Sequence, residues 1–327
     1  MSKAFTRDSY GRALLELGKE NKNVVVLDSD LSSSTRTEWF AKSFPERFFN
    51  SGVAEQNLIT MAAGLAACGK VAFASSFAVF AVERAYNQIK QSVAYTKLNV
   101  KIVVSHGGVT VGEDGASHHM PFDFAVMRVL PNMIVISPSD AVETYLAVKA
   151  IAKYNGPVYM RLLRPATPLV FEEGYKYQGR QLVFEIGKAM PLRKGRDATV
   201  FATGIMVAEA LEAANILTSE GIDIGVIDVH TIKPLDEETI LKSAQTGAVV
   251  TAEEHSIIGG LGGAVSEVLA KKMPLPIEMV GIKDVFTLSG SPRELMEEYG
   301  LTSKEIIAAT KKAIQRKKVK NLDFYTR

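Results

Sequence analysis

Three of the chain's five histidines fall between Ser105 and His119, with two adjacent acids, Glu113 and Asp114, and four glycines. A neutral imidazole takes or gives a proton near pH 7, and an acid beside it orients the ring or hydrogen-bonds a substrate hydroxyl. The preceding run, Val100-Lys101-Ile102-Val103-Val104, is β-branched and reads as a buried strand. The polar loop therefore emerges at a strand's carboxyl end, the edge where open parallel sheets bind ligands. A lone histidine is most often structural, whereas three in one glycine-rich loop mark a site.

Other groups are weaker alone. Glu55 opens an apolar helical pattern, where a carboxylate is partly desolvated and able to share a proton with a ligand nitrogen. The plainer reading, a first-turn acid favoured by the helix dipole, is the one composition supports. Phe73, Phe77, Phe80 and Tyr86 are dense enough to be core or to wall a flat ring. Arg7, Arg161 and Arg164 are candidates for a bidentate phosphate clamp. The run Gly259-Gly260-Leu261-Gly262-Gly263 lacks the spacing of dinucleotide and P-loop motifs and reads as a tight strand-to-helix turn near Glu253, Glu254 and His255. No HExxH, CxxC or GxSxG motif occurs, which disfavours zincins, redox dithiols and hydrolase elbows, and no metal ligands are assigned.

The elements that must position these groups alternate between strand and helix. With 327 residues, 47% of them apolar, the chain can bury two α/β cores. A first helix, Thr6 to Asn21, leads into the strand Val24 to Leu27, with Asp28 and Asp30 beyond it. A helix over Val53 to Cys68, a strand over Val71 to Ala74 and a helix over Val79 to Lys97 follow. After the histidine loop come helix Phe122 to Val129, strand Met133 to Ile136, helix Ala141 to Tyr154 and strand Val158 to Leu163. Prolines and glycines then break the pattern from Arg164 to Lys194. A second unit has strands over Ala198–Ala202, Asp223–Val229, Ala248–Ala252 and Ile277–Val280, and helices near Met206–Ser219, Asp236–Ala244, Gly263–Lys272 and Thr302–Arg316. The expected organisation is two successive open-sheet α/β domains, 1–175 and 193–327, joined by a linker over 176–192.

A net charge of +2 leaves no electrostatic footprint of nucleic-acid binding. The basic stretch Lys311 to Lys320 reads as a solvated helix end. The single cysteine, Cys68, ends an apolar run and reads as a buried small hydrophobe. No run is long enough to span a bilayer and the first thirty residues hold no apolar signal core, so a cytoplasmic enzyme or enzyme subunit is expected.

Taken together, several stretches resemble the transketolases: Asp28-Ser29-Asp30-Leu31, Ser51-Gly52-Val53-Ala54-Glu55-Gln56, Ser76-Phe77-Ala78-Val79-Phe80 with Arg84-Ala85-Tyr86-Asn87-Gln88, and above all Gly112-Glu113-Asp114-Gly115 followed by Ser117-His118. The match spans nearly the whole chain but only the second half of a full-length transketolase. It implies a thiamine-diphosphate pyrimidine-binding domain followed by a transketolase C-terminal-like domain whose role is mainly assembly.

By this resemblance Glu55 matches the glutamate that protonates N1′ of the cofactor's aminopyrimidine, and Phe77 and Phe80 match aromatics packed on that ring. Glu83 stands where the family has a third aromatic. Asp30 matches an acid at the cofactor pocket or subunit contact. His106 and Asp114 match residues bonded to the donor sugar's hydroxyls, and His118 one near its C1 hydroxyl or phosphate end. Arg7, Ser34 and Arg164 match groups holding the substrate phosphate, with Arg161 less well matched.

The Gly-Asp-Gly segment that holds the diphosphate and Mg2+ in the family does not occur here. The resemblance therefore implies half a site, completed by a separate N-terminal subunit in an α2β2 heterotetramer acting on sugar phosphates, with thiamine diphosphate as cofactor and Mg2+ held by the partner. Deoxyxylulose phosphate synthase, normally one long chain, the β subunit of a 2-oxo-acid dehydrogenase, which lacks the Glu-Asp-Gly loop with its histidine, and a non-catalytic assembly subunit are the alternatives.

Overall fold

The structure, a computed structural model, describes residues 2–325, with side chains for 2–317. In chain order the first half contributes β1 (Lys3–Phe5), β2 (Val24–Asp28), β3 (Phe48–Asn50), β4 (Val71–Ser75), β5 (Val100–Val104), β6 (Ile134–Ile136), β7 (Val158–Arg161) and β8 (Ala166–Pro168). A two-stranded ribbon, β9 (Lys176–Tyr177) and β10 (Arg180–Gln181), follows. The second half contributes β11 (Met190–Arg193), β12 (Ala198–Ala202), β13 (Ile224–Asp228), β14 (Thr231–Lys233), β15 (Val249–Ser256) and β16 (Ile277–Ile282).

The first sheet runs β14-β6-β7-β5-β4-β2-β3 and the second β11-β13-β12-β15-β16; both are parallel except for their antiparallel edge strands β14 and β11. β14 comes from the second half of the chain yet closes the first sheet, pairing Thr231 with Ile136.

Helices on both sides explain why β2 is a continuous apolar run rather than an alternating one. Val24 and Val26 pack with Tyr10, Leu14 and Val148 on one face. Val25 and Leu27 pack with Leu58, Ile59 and Ala62 on the other. The helix Glu55–Ala67 buries its Leu58, Ile59, Ala62, Ala63 and Ala66 stripe and stops at Gly69, whose φ of 83° suits a residue without Cβ. Cys68 lies just past that stripe and is exposed, correcting its expected burial.

A second correction concerns Val79 to Lys97. Its helical spacing gives two wide π turns, Phe80–Arg84 and Ile89–Ala94, around the α-helical turn Ala85–Gln88. The pitch change rotates side chains relative to an α-helix, and such turns cluster at functional sites. The helix Pro292–Glu298, absent from the periodicity, starts at a capping box between Ser291 and Glu294. In the basic stretch Lys311 pairs with Glu220, and Lys312 and Arg316 pair with Glu278, so these cations are neutralised rather than free; the side chains of Lys318 and Lys320 lie outside the described residues.

Candidate active site

The histidine loop leaves β5 at its carboxyl end, as expected. Its first turn is fixed by backbone bonds to the segment after β4: Ser105 N–H donates to Ser76 O and Ala78 N–H to Ser105 O, at 3.1 and 2.8 Å. This sets His106 directly against Phe77, ring centroids 3.7 Å apart and nearly parallel. Phe77 in turn stacks on Phe80 at 5.8 Å, and Phe80 meets the edge of His118 at 5.4 Å. Four flat side chains from two segments, the histidine loop and the stretch that follows β4, thus form one array. Phe73, by contrast, points through the sheet into the core beside Tyr10.

Glu55 sits at the first position of its helix, only 4% exposed, with the Arg84 guanidinium 3.9 Å away and no hydrogen bond from any described residue. Arg84 also lies over the Phe80 ring, 5.3 Å from its centroid, which ties the carboxylate to the aromatic array. A buried carboxylate at a helix N-terminus without its own hydrogen bonds is poised to accept one from a ligand.

The third element is the turn after β2. Asp28 is buried and takes bonds from Leu31 N–H and from the hydroxyls of Thr35 and Thr37, at 2.6 to 2.8 Å. Burial pushes its pKa up to about 6. The turn presents two carbonyls to guanidiniums: Arg7 Nη1 donates to Ser34 O at 3.0 Å and Arg36 Nη1 to Ser33 O at 2.5 Å. Arg7 Nε is buried with no partner among the described residues. Arg164 is held by Glu113 at 2.7 Å and by Val111 O. Burial first, then the charges of Arg7, Arg164, His118 and Arg36, drive the His106 pKa down to about 3.

His106 is therefore uncharged at neutral pH, its Nδ1 2.8 Å from Ser105 Oγ. Because its folded pKa lies below the ordinary 6.5, protonation is withheld until pH approaches 3. In an NMR titration of histidine Cε1–H signals, His106 should stay unshifted between pH 8 and pH 5; a midpoint near 6.5 would contradict this geometry.

Among the expected residues, Phe77, Phe80, His106 and His118 share direct ring contacts, Glu55 joins them through Arg84, and Arg7 and Arg164 form the cationic side, with Ser34 O accepting from Arg7. Asp30 is exposed with φ of 62° and bonded to Asn50, and Asp114 is exposed on the loop's 3-10 turn. Arg161 is not open at the sheet edge to clamp a phosphate. It is 2% exposed, with Asp123 at 3.4 Å, the Phe124 ring beneath it and a bond to Glu254 O. His119 is also structural, bonded to Thr287 Oγ1 and Gly112 O. The glycine run at the start of the helix Leu261–Lys272 cradles the chain's own Glu253 carboxyl, which accepts from Leu261 and Gly262 N–H at 2.7 Å. Arg36 and Asn50 flank expected residues and Glu254 stands between Glu253 and His255, but only the fold brings Asp8 to Arg36, Asp30 to Asn50 and the loop amides to Glu254.

Comparison with known proteins adds to this geometry. The transketolase pyrimidine-binding-domain family matches residues 2–169, and the transketolase C-terminal-domain family matches residues 187–306. A transketolase C-terminal section from Methanocaldococcus jannaschii is 54% identical over 301 residues, covering 92% of this chain and 93% of the relative. A 6-deoxy-6-sulfo-D-fructose transketolase subunit from Clostridium sp. is 45% identical, covering 95% of each chain. Among solved structures, a split-gene transketolase determined as an inactive β4 tetramer superposes with a TM-score of 0.88 at 52% identity, covering 96% of this chain and 99% of that one.

Proposed function

The chain belongs to the transketolase family, and on that premise we propose that it is the pyrimidine-binding subunit of a split, thiamine-diphosphate-dependent transketolase. It moves a two-carbon ketol unit between ketose and aldose phosphates in the cytoplasm, acting only with a second subunit that carries the diphosphate and Mg2+ half of the site. The pair forms an α2β2 assembly with two sites.

One observation carries the reading: a buried carboxyl, stacked flat rings, two imidazoles and converging guanidiniums meet at one sheet edge. These residues suit the pyrimidine half of the cofactor, since Glu55 lacks a hydrogen-bond partner among the described residues and the stacked rings of Phe77 and Phe80 make an apolar wall beside it. Relatives of matching length are named as a section or a subunit, which supports a separate partner.

Thiamine diphosphate, when bound, supplies a nucleophilic ring carbon that takes up and releases the ketol unit. In this reading Glu55 holds a proton at the aminopyrimidine nitrogen, and Phe77 and Phe80 cover the ring and exclude water. Uncharged His106 and exposed Asp114 hydrogen-bond the donor's hydroxyls, and His118 holds its C1 or phosphate end. Arg7, Ser34 and Arg164 bind the phosphate, and Asp30 lies at the cofactor pocket or subunit contact.

The isolated chain should show no ketol transfer from xylulose phosphate to ribose phosphate, and the reconstituted pair should show it. Full activity of the chain alone would overturn the half-site reading. A second anion deserves the same assay: a relative at 45% identity is named for a sulfonated sugar, and guanidinium pairs bind sulfonate as they bind phosphate.

A further inference from the structure

We infer that the second half of the chain is a positioning device for the histidine loop, with Glu254 as its principal residue. Glu254 belongs to β15, in the second sheet, and is 3% exposed. Its Oε1 accepts from the N–H groups of both Val109 and Thr110, each at 2.7 Å, across 145 and 144 residues of sequence. Those two amides sit three and four residues after His106 in the same loop.

The paired glycines before them are explained by this grip. A Cβ at Gly108 would stand 2.1 Å from Glu254 Oε1, and one at Gly107 would stand 2.1 Å from Arg161 Nε. Gly107 and Gly108 thus allow the backbone to approach a buried carboxylate and a buried guanidinium. Arg161 also donates to Glu254 O at 2.8 Å, so the gripping residue is itself fixed.

Two further contacts come from the second half. Thr287 Oγ1 lies 2.6 Å from His119 Nδ1, and Ser289 Oγ donates to Glu113 O at 2.7 Å. The second half holds the loop at Val109–Thr110, at Glu113 and at His119, by residues that do not themselves reach the aromatic array. His118 lies between these fixed points, and His106 lies three residues before the first of them. Small displacements of such groups cost activity steeply, so the second half does more than assemble subunits.

That the loop faces substrate rests on the function proposed above; that Glu254 holds it does not. Hydrogen exchange on the full-length chain tests the grip without any activity assay. Glu254→Ala should raise exchange across 105–119 by about tenfold or more while β12 and β13 stay protected, and Glu254→Gln, which keeps an acceptor oxygen, should restore protection. In the assembled enzyme the same alanine variant should raise the KM for the ketose phosphate about tenfold with a smaller change in kcat, again recovered by glutamine. Unchanged loop exchange, or exchange that rises equally in β12 and β13, would overturn the inference. If Glu254→Ala does not fold, the double variant Thr287→Val/Ser289→Ala takes its place: a rise confined to the loop supports the inference, and no rise overturns it.

Discussion

Replacing Glu55 by glutamine should lower kcat of the reconstituted enzyme by about 10²- to 10⁴-fold, the span that a positioned proton-transfer group contributes. The substitution keeps the side chain's shape but removes the carboxyl proton that a ring nitrogen would share. Its structural cost is small, because the one ion-pair partner of Glu55 among the described residues is Arg84 at 3.9 Å, itself largely exposed. Thermal stability should therefore change by about 1 kcal/mol or less, as for a weak ion pair open to solvent. Assembly with the partner should be intact and exchange of the cofactor's C2 hydrogen slowed. A variant losing less than about tenfold in kcat would refute the assignment, since general acid–base groups contribute more than that.

The second large effect is on stability. Arg161 is buried between Asp123 and Glu254, and Asp123 Oδ1 and Glu254 Oε2 have no hydrogen-bond partner among the described residues, so its charge is what compensates them. Arg161→Met would leave these carboxylates buried and uncompensated, a cost of about 3–5 kcal/mol. Tyr159 OH donates to Asp123 at 2.7 Å but supplies no charge. At about 2–4 °C per kcal/mol for a domain of this size, the apparent Tm should fall by at least about 6 °C. A fall of under about 2 °C in calorimetry would mean that the network relaxes or hydrates when the guanidinium is removed.

Much of the frame was legible because burial on both faces writes strands as unbroken apolar runs. Val100–Val104 and Ala198–Ala202 match their runs, as does the helix Met206–Ser219. Short or edge elements left no such trace: β1 and β8 are three residues each, and β14 leaves its own half of the chain to close the first sheet. The π turns at Phe80–Arg84 and Ile89–Ala94 share the apolar spacing of an α-helix and differ only in pitch. At the site, the histidines with Glu113 and Asp114 marked the loop by type and spacing, whereas Glu55, Phe77 and Phe80 entered only through the resemblance to transketolases, because composition favoured a plain first-turn acid and periodicity left the aromatics open. Arg161 was legible as a cation but not as a buried one, because Asp123 and Glu254, its counter-charges, come from distant segments. The Glu254 grip joins residues 144 or more apart, which no local pattern encodes.

The central claim is that this chain holds half of a thiamine site. Calorimetric titration of thiamine diphosphate with Mg2+ into the chain alone, the partner alone and their equimolar mixture tests it most directly. Saturable binding of one cofactor per pair of unlike chains in the mixture, and far weaker binding to either component, is the expected result. Equally tight binding by the isolated chain would contradict it.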